Sequence, residues 1–161
     1  MHAALAPLAG LLGTFEGDGE GDYPTISPFR YRERVVFGHA GKPFVTYQQH
    51  TWQPDTDAPM HTEVGYLRVP GPAVDAPAGT TRVELVIAQP TGIVEVQEGT
   101  LEDGVLTLAT TTVGRTATAK DVWSVRRTFA LRDDLLVYDL WMAYAHVPDT
   151  HHLHAELRRT G

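Results

Sequence analysis

Four of the eight histidines crowd together near the C-terminus: His146, His151, His152 and His154. Imidazole is the commonest protein ligand for transition metals and the axial ligand of many haem irons. His152 and His154 are two apart and share one face of a strand, whereas His151 and His152 point to opposite faces. Three readings stay open. The first is a His-x-His zinc site with a third ligand from another strand, the second a single axial haem ligand, and the third an exposed polar strand end. Leu153, Ala155 and Leu157 form the apolar face of the same segment, so strict alternation aims His152 outward. For His152 to ligate inside, it must precede the regular strand or a bulge must re-aim it.

Other polar and sulfur-bearing side chains stand where they can line a cavity. Met60 and His61 lie in the run PMHTEVGY, and Gln89 ends an alternating segment. Met142 is in phase with Leu136, Tyr138 and Leu140, a position also suited to simple core filling. Lys120 falls in a loop, and Thr25 follows Tyr23-Pro24 in a turn. Several chemistries are excluded. No cysteine is present, which removes disulfides, thiol nucleophiles and thiolate metal sites and fits a reducing compartment. No P-loop, G-x-S-x-G elbow or H-E-x-x-H helix occurs, and the glycines Gly13, Gly17, Gly19 and Gly21 lead into Asp22-Tyr23-Pro24 rather than into a phosphate-binding helix. Glu16, Asp18 and Glu20 alternate along one solvated face. A formal net charge of −7 repels nucleic acid, and no apolar run approaches a membrane span. The cytoplasm is the expected location.

The elements that must carry these residues are strands. Glycines and prolines are spread through all 161 residues and punctuate short alternating segments. Ten strands are expected: 12–17, 30–37, 44–52, 62–69, 82–89, 92–101, 105–113, 122–131, 135–145 and 152–159. In the second, Arg30, Arg32 and Arg34 face water while Tyr31, Val35 and Phe37 face inward. Asp103-Gly104 is a tight hairpin turn, Arg132-Asp133-Asp134 another, and a Pro/Gly/Ala loop runs from Pro70 to Gly79. The apolar N-terminus, broken by Pro7 and Gly10, is expected to be a short helical turn closing the core rather than a signal peptide. One all-β domain over 1–161 follows, an antiparallel up-and-down barrel whose closure removes free edges and leaves a lumen for one ligand. A two-sheet sandwich would use the same strands without a central pocket.

With these segments in place, the chain resembles the nitrobindin family. Gly13–Glu33 is similar to that family's N-terminal signature G-x-W-x-G-x-G-x-G-x-Y-P-T-I, with Phe15 where the signature has tryptophan. Further matching blocks are HAGKPF, PMHTEVGYLR, QPTGIVEVQEG, RTATAK and HLHAELRR, in order across nearly the whole chain. The resemblance implies a ten-stranded barrel like those of lipocalins and fatty-acid-binding proteins, holding one ferric haem b. It places the proximal iron ligand, and so the catalytic position, on His152. It places the haem-pocket threonine on Thr25, the remaining cofactor-binding positions on Met60, His61, Gln89 and Met142, and a further contact on Lys120. The implied activity is isomerisation of peroxynitrite to nitrate, with iron as Lewis acid in an apolar cage, together with reversible binding of nitric oxide. Haem affinity should fall as pH drops through the histidine range. The alternatives are a non-catalytic carrier of a small hydrophobic ligand and a nitric oxide sensor that signals to a partner.

Overall fold

The alternation along the chain resolves into ten strands in a computed structural model that describes residues 1–70 and 79–161. They are β1 (Gly13–Tyr23), β2 (Ile26–Gly38), β3 (Phe44–Trp52), β4 (Pro59–Arg68), β5 (Thr81–Ala88), β6 (Ile93–Glu102), β7 (Val105–Arg115), β8 (Val122–Arg132), β9 (Leu135–Tyr144) and β10 (Val147–Arg159). Each pairs antiparallel with its neighbours in sequence, and β1 pairs with β10 to close the ring. This closed barrel excludes the sandwich. The expected loop from Pro70 to Gly79 lies, apart from its two ends, outside the described residues. No helix among the described residues is long and apolar enough to cross a membrane.

Four expected strand ends fall short of the observed ones. β1 continues past Gly17 to Tyr23, β2 begins at Ile26 rather than Arg30, β4 at Pro59 rather than Thr62, and β10 at Val147 rather than His152. All four lie at the same end of the barrel. There Gly19 and Gly21 on β1, Ser27 and Pro28 on β2, Pro59 and His61 on β4, and His151 and His152 on β10 interrupt the apolar period while backbone pairing goes on. The hairpin at Asp103-Gly104 has positive φ at both residues, 48° and 78°, as a two-residue turn of the twisted type requires.

The opposite end is closed and apolar. A 3-10 helix, Ala3–Leu11, buries Leu5, Leu8 and Leu11 against the barrel base. Arg159 fastens it, donating from Nη1 to the Leu12 carbonyl at 2.6 Å and from Nη2 to the Gly10 carbonyl at 2.7 Å. Its guanidinium also lies 4.5 Å from the ring centroid of Phe15, which is fully buried and meets Phe37 edge-on. Phe129 packs against Phe37, Tyr47 and Tyr138 to fill the lower barrel.

Between base and mouth runs a layer of buried polar side chains. Arg127 on β8 is in phase with Val125 and Phe129 and is wholly buried. It donates from Nη1 to Glu63 on β4 at 2.8 Å and from Nη2 to Glu95 on β6 at 2.7 Å. Tyr47 donates to Glu63 at 3.2 Å, and Gln89 donates to Glu63 at 3.1 Å and to Glu95 at 2.6 Å. Gln97 donates to Glu95, and Gln49 donates to Glu33. Burial alone would raise the Glu63 carboxyl, but the Arg127 charge and hydrogen bonds from His61 and Arg127 outweigh it and bring the pKa down to about 2. At Glu95 burial prevails over Arg127, and the pKa is raised. Glu33 lies farther from this relief: burial pushes its pKa up to about 7, with the Gln49 hydrogen bond opposing.

These shifts set opposite slopes of stability against pH. Glu63 is lower in the folded state, so its contribution is complete above the ordinary carboxylate range and disappears as pH falls toward 2. Glu33 is higher in the folded state, so its protonated form is favoured by folding, and stability falls as pH rises from about 4.5 to about 7. Glu33→Gln should therefore flatten the stability profile between pH 5 and 8 and raise stability at pH 8, by roughly 1–3 kcal/mol. Denaturant unfolding at several pH values measures it. Arg127→Met leaves carboxylates buried without their cation and should cost roughly 3–5 kcal/mol at pH 7.5. The loss should be smaller at pH 5, where the orphaned carboxyls take up protons, and thermal unfolding at the two pH values checks this.

Candidate functional site

Above the polar layer the barrel opens into a cavity of about 260 Å³. Its sides are formed by Phe29, Ile93, Val122, Val125, Leu140 and Met142, and its floor by Gln49, Glu63, Gln89 and Glu95. The mouth is ringed by the turns β1–β2, β3–β4, β5–β6, β7–β8 and β9–β10.

One wall depends on glycine in β1. Gly19 pairs with Tyr31 and Gly21 with Phe29 across the β1–β2 ladder. A Cβ on either glycine would come within 2.3 Å of the partner's ring. The aromatic rings therefore lie over bare backbone and reach the cavity, which accounts for Gly19 and Gly21 without a phosphate, while at Gly17 the close neighbour is the Glu156 backbone carbonyl.

His152 enters from β10. The β9–β10 register pairs His151 with Trp141 and then Leu153 with Leu140, leaving His152 as an extra residue. This is a β-bulge, the second of the two routes by which His152 can face inward. Its effect is plain in the lining, since the adjacent residues His152 and Leu153 both face the cavity. The half-buried imidazole stands against Tyr23, with ring centroids 5.2 Å apart, and Phe29, at 6.2 Å. Its Nδ1 lies 3.1 Å from the Asp22 carbonyl oxygen. A carbonyl only accepts, so Nδ1 carries the hydrogen and Nε2 keeps its lone pair. Burial lowers the His152 pKa below the usual value, with the Asp22 carbonyl opposing and the charges of His151 and Lys120 adding to the shift. The ring is thus neutral at pH 7 and has one nitrogen free to ligate.

Of the other expected site residues, Met60, His61, Gln89 and Met142 line the same cavity. His61 lies four strands from His152 around the ring (β10, β1, β2, β3, β4), on the far wall, with Nε2 3.5 Å from Glu63 Oε1. Met142 accepts a hydrogen bond at its carbonyl from Tyr23 Oη at 2.9 Å. Thr25 and Lys120 do not line the cavity. Both are exposed, in the β1–β2 turn and the β7–β8 loop of the mouth. Among the described residues no group of three His, Cys, Asp or Glu side chains is arranged to hold a metal ion, so the His-x-His zinc reading finds no third ligand. Sequence reasoning missed the buried polar layer, Glu33, Gln49, Glu63, Glu95, Gln97 and Arg127, of which Gln49, Glu63 and Glu95 line the cavity. The signal was phase, clearest where Glu33 lies between Tyr31 and Val35 and Arg127 between Val125 and Phe129 on the inward faces of their strands, whereas the inward neighbours of Glu63 are His61 and Gly65.

Comparison with known proteins agrees with this geometry. The chain is 47% identical to "Peroxynitrite isomerase" of Nocardia farcinica, covering 99% of this chain and 92% of that protein. It is equally 47% identical to "Peroxynitrite isomerase 2" of Mycobacterium marinum, covering 99% and 96%. A crystal structure of Rv2717c from M. tuberculosis superposes with a TM-score of 0.90 at 42% identity, covering 100% of this chain and 99% of the other. The family model for the THAP4-like, heme-binding beta-barrel domain matches residues 4–159. The expected nitrobindin likeness thus holds over the full barrel, and the chain belongs to the THAP4-like, heme-binding β-barrel domain family.

Proposed function

We propose that the barrel binds one ferric haem b through His152 Nε2 and isomerises peroxynitrite to nitrate, with nitric oxide binding at the same iron. The observation that carries this reading is the bulge that turns a neutral imidazole, its Nδ1 hydrogen already engaged, into an apolar cavity. The donor set fits haem: one nitrogen ligand, no thiolate, and aliphatic and aromatic walls that suit a porphyrin face. The cavity is at the small end for such ligands, and its open mouth lets a porphyrin edge extend to the rim. Lys120 and Thr25 stand on that rim, where an ammonium and a hydroxyl suit propionate carboxylates.

When bound, ferric haem supplies a Lewis-acidic site that activates the peroxy oxygen. Reactant and product are isomers of equal charge, so the side chains need to deliver neither an electron nor a net proton. His152 would hold the cofactor through Nε2, and the Asp22 carbonyl keeps its ring in one tautomer. Val122, Val125, Leu140 and Met142 would exclude water and enclose the bound ligand in apolar walls. His61 on the opposite wall is held by Glu63 and offers a polar edge to an oxygen-rich ligand.

Hemin added to the purified protein should give a histidine-ligated ferric Soret spectrum. His152→Ala should lose that spectrum, with affinity reduced by more than the roughly 10–100-fold typical of an outer-sphere partner. No Soret change in the unsubstituted protein would overturn the haem reading and leave a barrel carrying another hydrophobic ligand. Because the His152 pKa lies below the ordinary histidine value, hemin affinity should stay level from pH 8 to about 6.5 and decline only below that, as protonation takes the ligating lone pair. Spectroscopic titration across this range measures the decline.

A further inference from the structure

The inward turn of His152 depends on what holds the outside of the bulge. β10 could form a regular ladder with β9 by placing His152 outward in alternation. In the observed register the extra residue is forced between His151 and Leu153, and the flanking residues must be anchored on the outer face. One carboxylate does this. Asp139, on the outward face of β9, lies opposite His154 in the register. Its Oδ1 is 2.8 Å from His151 Nε2 and 2.9 Å from His154 Nδ1. A carboxylate oxygen accepts, so both imidazoles donate to the same atom, one from each side of His152. Trp141 meets His151 edge-on at 5.1 Å and is itself covered by the Arg126 guanidinium at 3.9 Å.

We propose that Asp139 is the positioning residue for His152: by binding His151 and His154 together it locks the bulge and aims the intervening imidazole into the cavity. This rests on the reading of His152 as the haem ligand for its functional meaning, but not for its geometry. Asp139 touches nothing inside the barrel. It acts through the backbone of β10, as outer partners of metal ligands do when they fix the direction of a donor.

The test has a part that needs no haem. In the haem-free protein, NMR cross-peaks from the His152 ring to the Tyr23 and Phe29 rings report the inward orientation. Asp139→Ala should lose these cross-peaks and bind hemin about tenfold more weakly or worse. Asp139→Asn, whose amide oxygen can still accept from both imidazoles, should retain the cross-peaks and most of the affinity. If Asp139→Ala is not recovered folded, the His151→Ala/His154→Ala double variant removes the same bonds from the β10 side and should behave as expected for Asp139→Ala. Free imidazole separates aiming from general damage. In His152→Gly protein supplied with imidazole, adding Asp139→Ala should cost no further hemin affinity, because the ligand no longer depends on β10. The proposal is overturned if a folded Asp139→Ala protein keeps its cross-peaks and its hemin affinity within about twofold. It is equally overturned if Asp139→Ala weakens the imidazole-supplemented protein as much as the parent. If the unsubstituted protein takes up no hemin, the haem reading falls, while the cross-peaks still decide the role of Asp139.

Discussion

One guanidinium ties the middle of the barrel together. Arg127 reaches from β8 to carboxylates on β4 and β6, two strands that lie four and two places away around the ring. Removing a cation and its carboxylates from water is costly, and the pairing returns that cost only when nearly every polar atom is matched. Here Tyr47, Gln89 and Gln97 take up remaining acceptor positions on the same two carboxylates. The result is a rigid polar layer. Below it, aromatic and aliphatic side chains and the N-terminal helix fill the base. Above it the barrel opens into the cavity, over Glu63 and Glu95 held by these bonds, while within the layer Glu33 Oε2, Gln97 Oε1 and Arg127 Nε have no hydrogen-bond partner among the described residues.

The open end relies on departures from regular strand chemistry. Glycines at 19 and 21 let rings from β2 lie against bare backbone, and the extra residue in β10 brings two consecutive side chains inside. Neither device would serve a close-packed core, where an absent side chain loses contacts and a bulge interrupts the ladder. Both serve a cavity, where space and a redirected donor are the requirement. The barrel therefore separates its tasks along its axis: stability is concentrated below Arg127, and the irregular elements are gathered above it.

This division explains which parts could be read from residue order. Strands β3 and β5 alternate cleanly, and the expected limits of β3, β5, β7 and β8 agree with the structure to within a residue or two. The lengths of β1, β2, β4 and β10 at the mouth were underestimated because glycine and histidine replace the apolar beat there. Tyr31, Val35 and Phe37 were placed inward from their period, yet Glu33, in the same phase between Tyr31 and Val35, was passed over. So were Glu63, Glu95 and Arg127. A charged residue taken singly is rightly assigned to water. Only the joint presence of carboxylates on β4 and β6 and an arginine on β8, all in inward phase, points to a buried network, and that juxtaposition is a property of the closed ring. The bulge at His152 was legible only as one of two routes inward, since nothing local distinguishes it from a regular strand that begins after His152.

An isomerisation makes an unusual demand on a protein interior. It needs no base of matched pKa, no nucleophile and no second substrate, so the constellation that usually marks an active site has no reason to exist. On the proposed function, what it would need is a fixed donor to hold the cofactor and apolar walls that exclude water. Arg127 and its two carboxylates, all displaced from their ordinary pKa values, accordingly form a structural polar layer and not a catalytic pair. Perturbed pKa values are a guide to function only where function consists of moving protons. In this barrel the better guide is the place where a strand breaks its own alternation, because a side chain that leaves the pattern must be held out of it by something, and the residues that hold it are as much a part of the site as the ones that face the ligand.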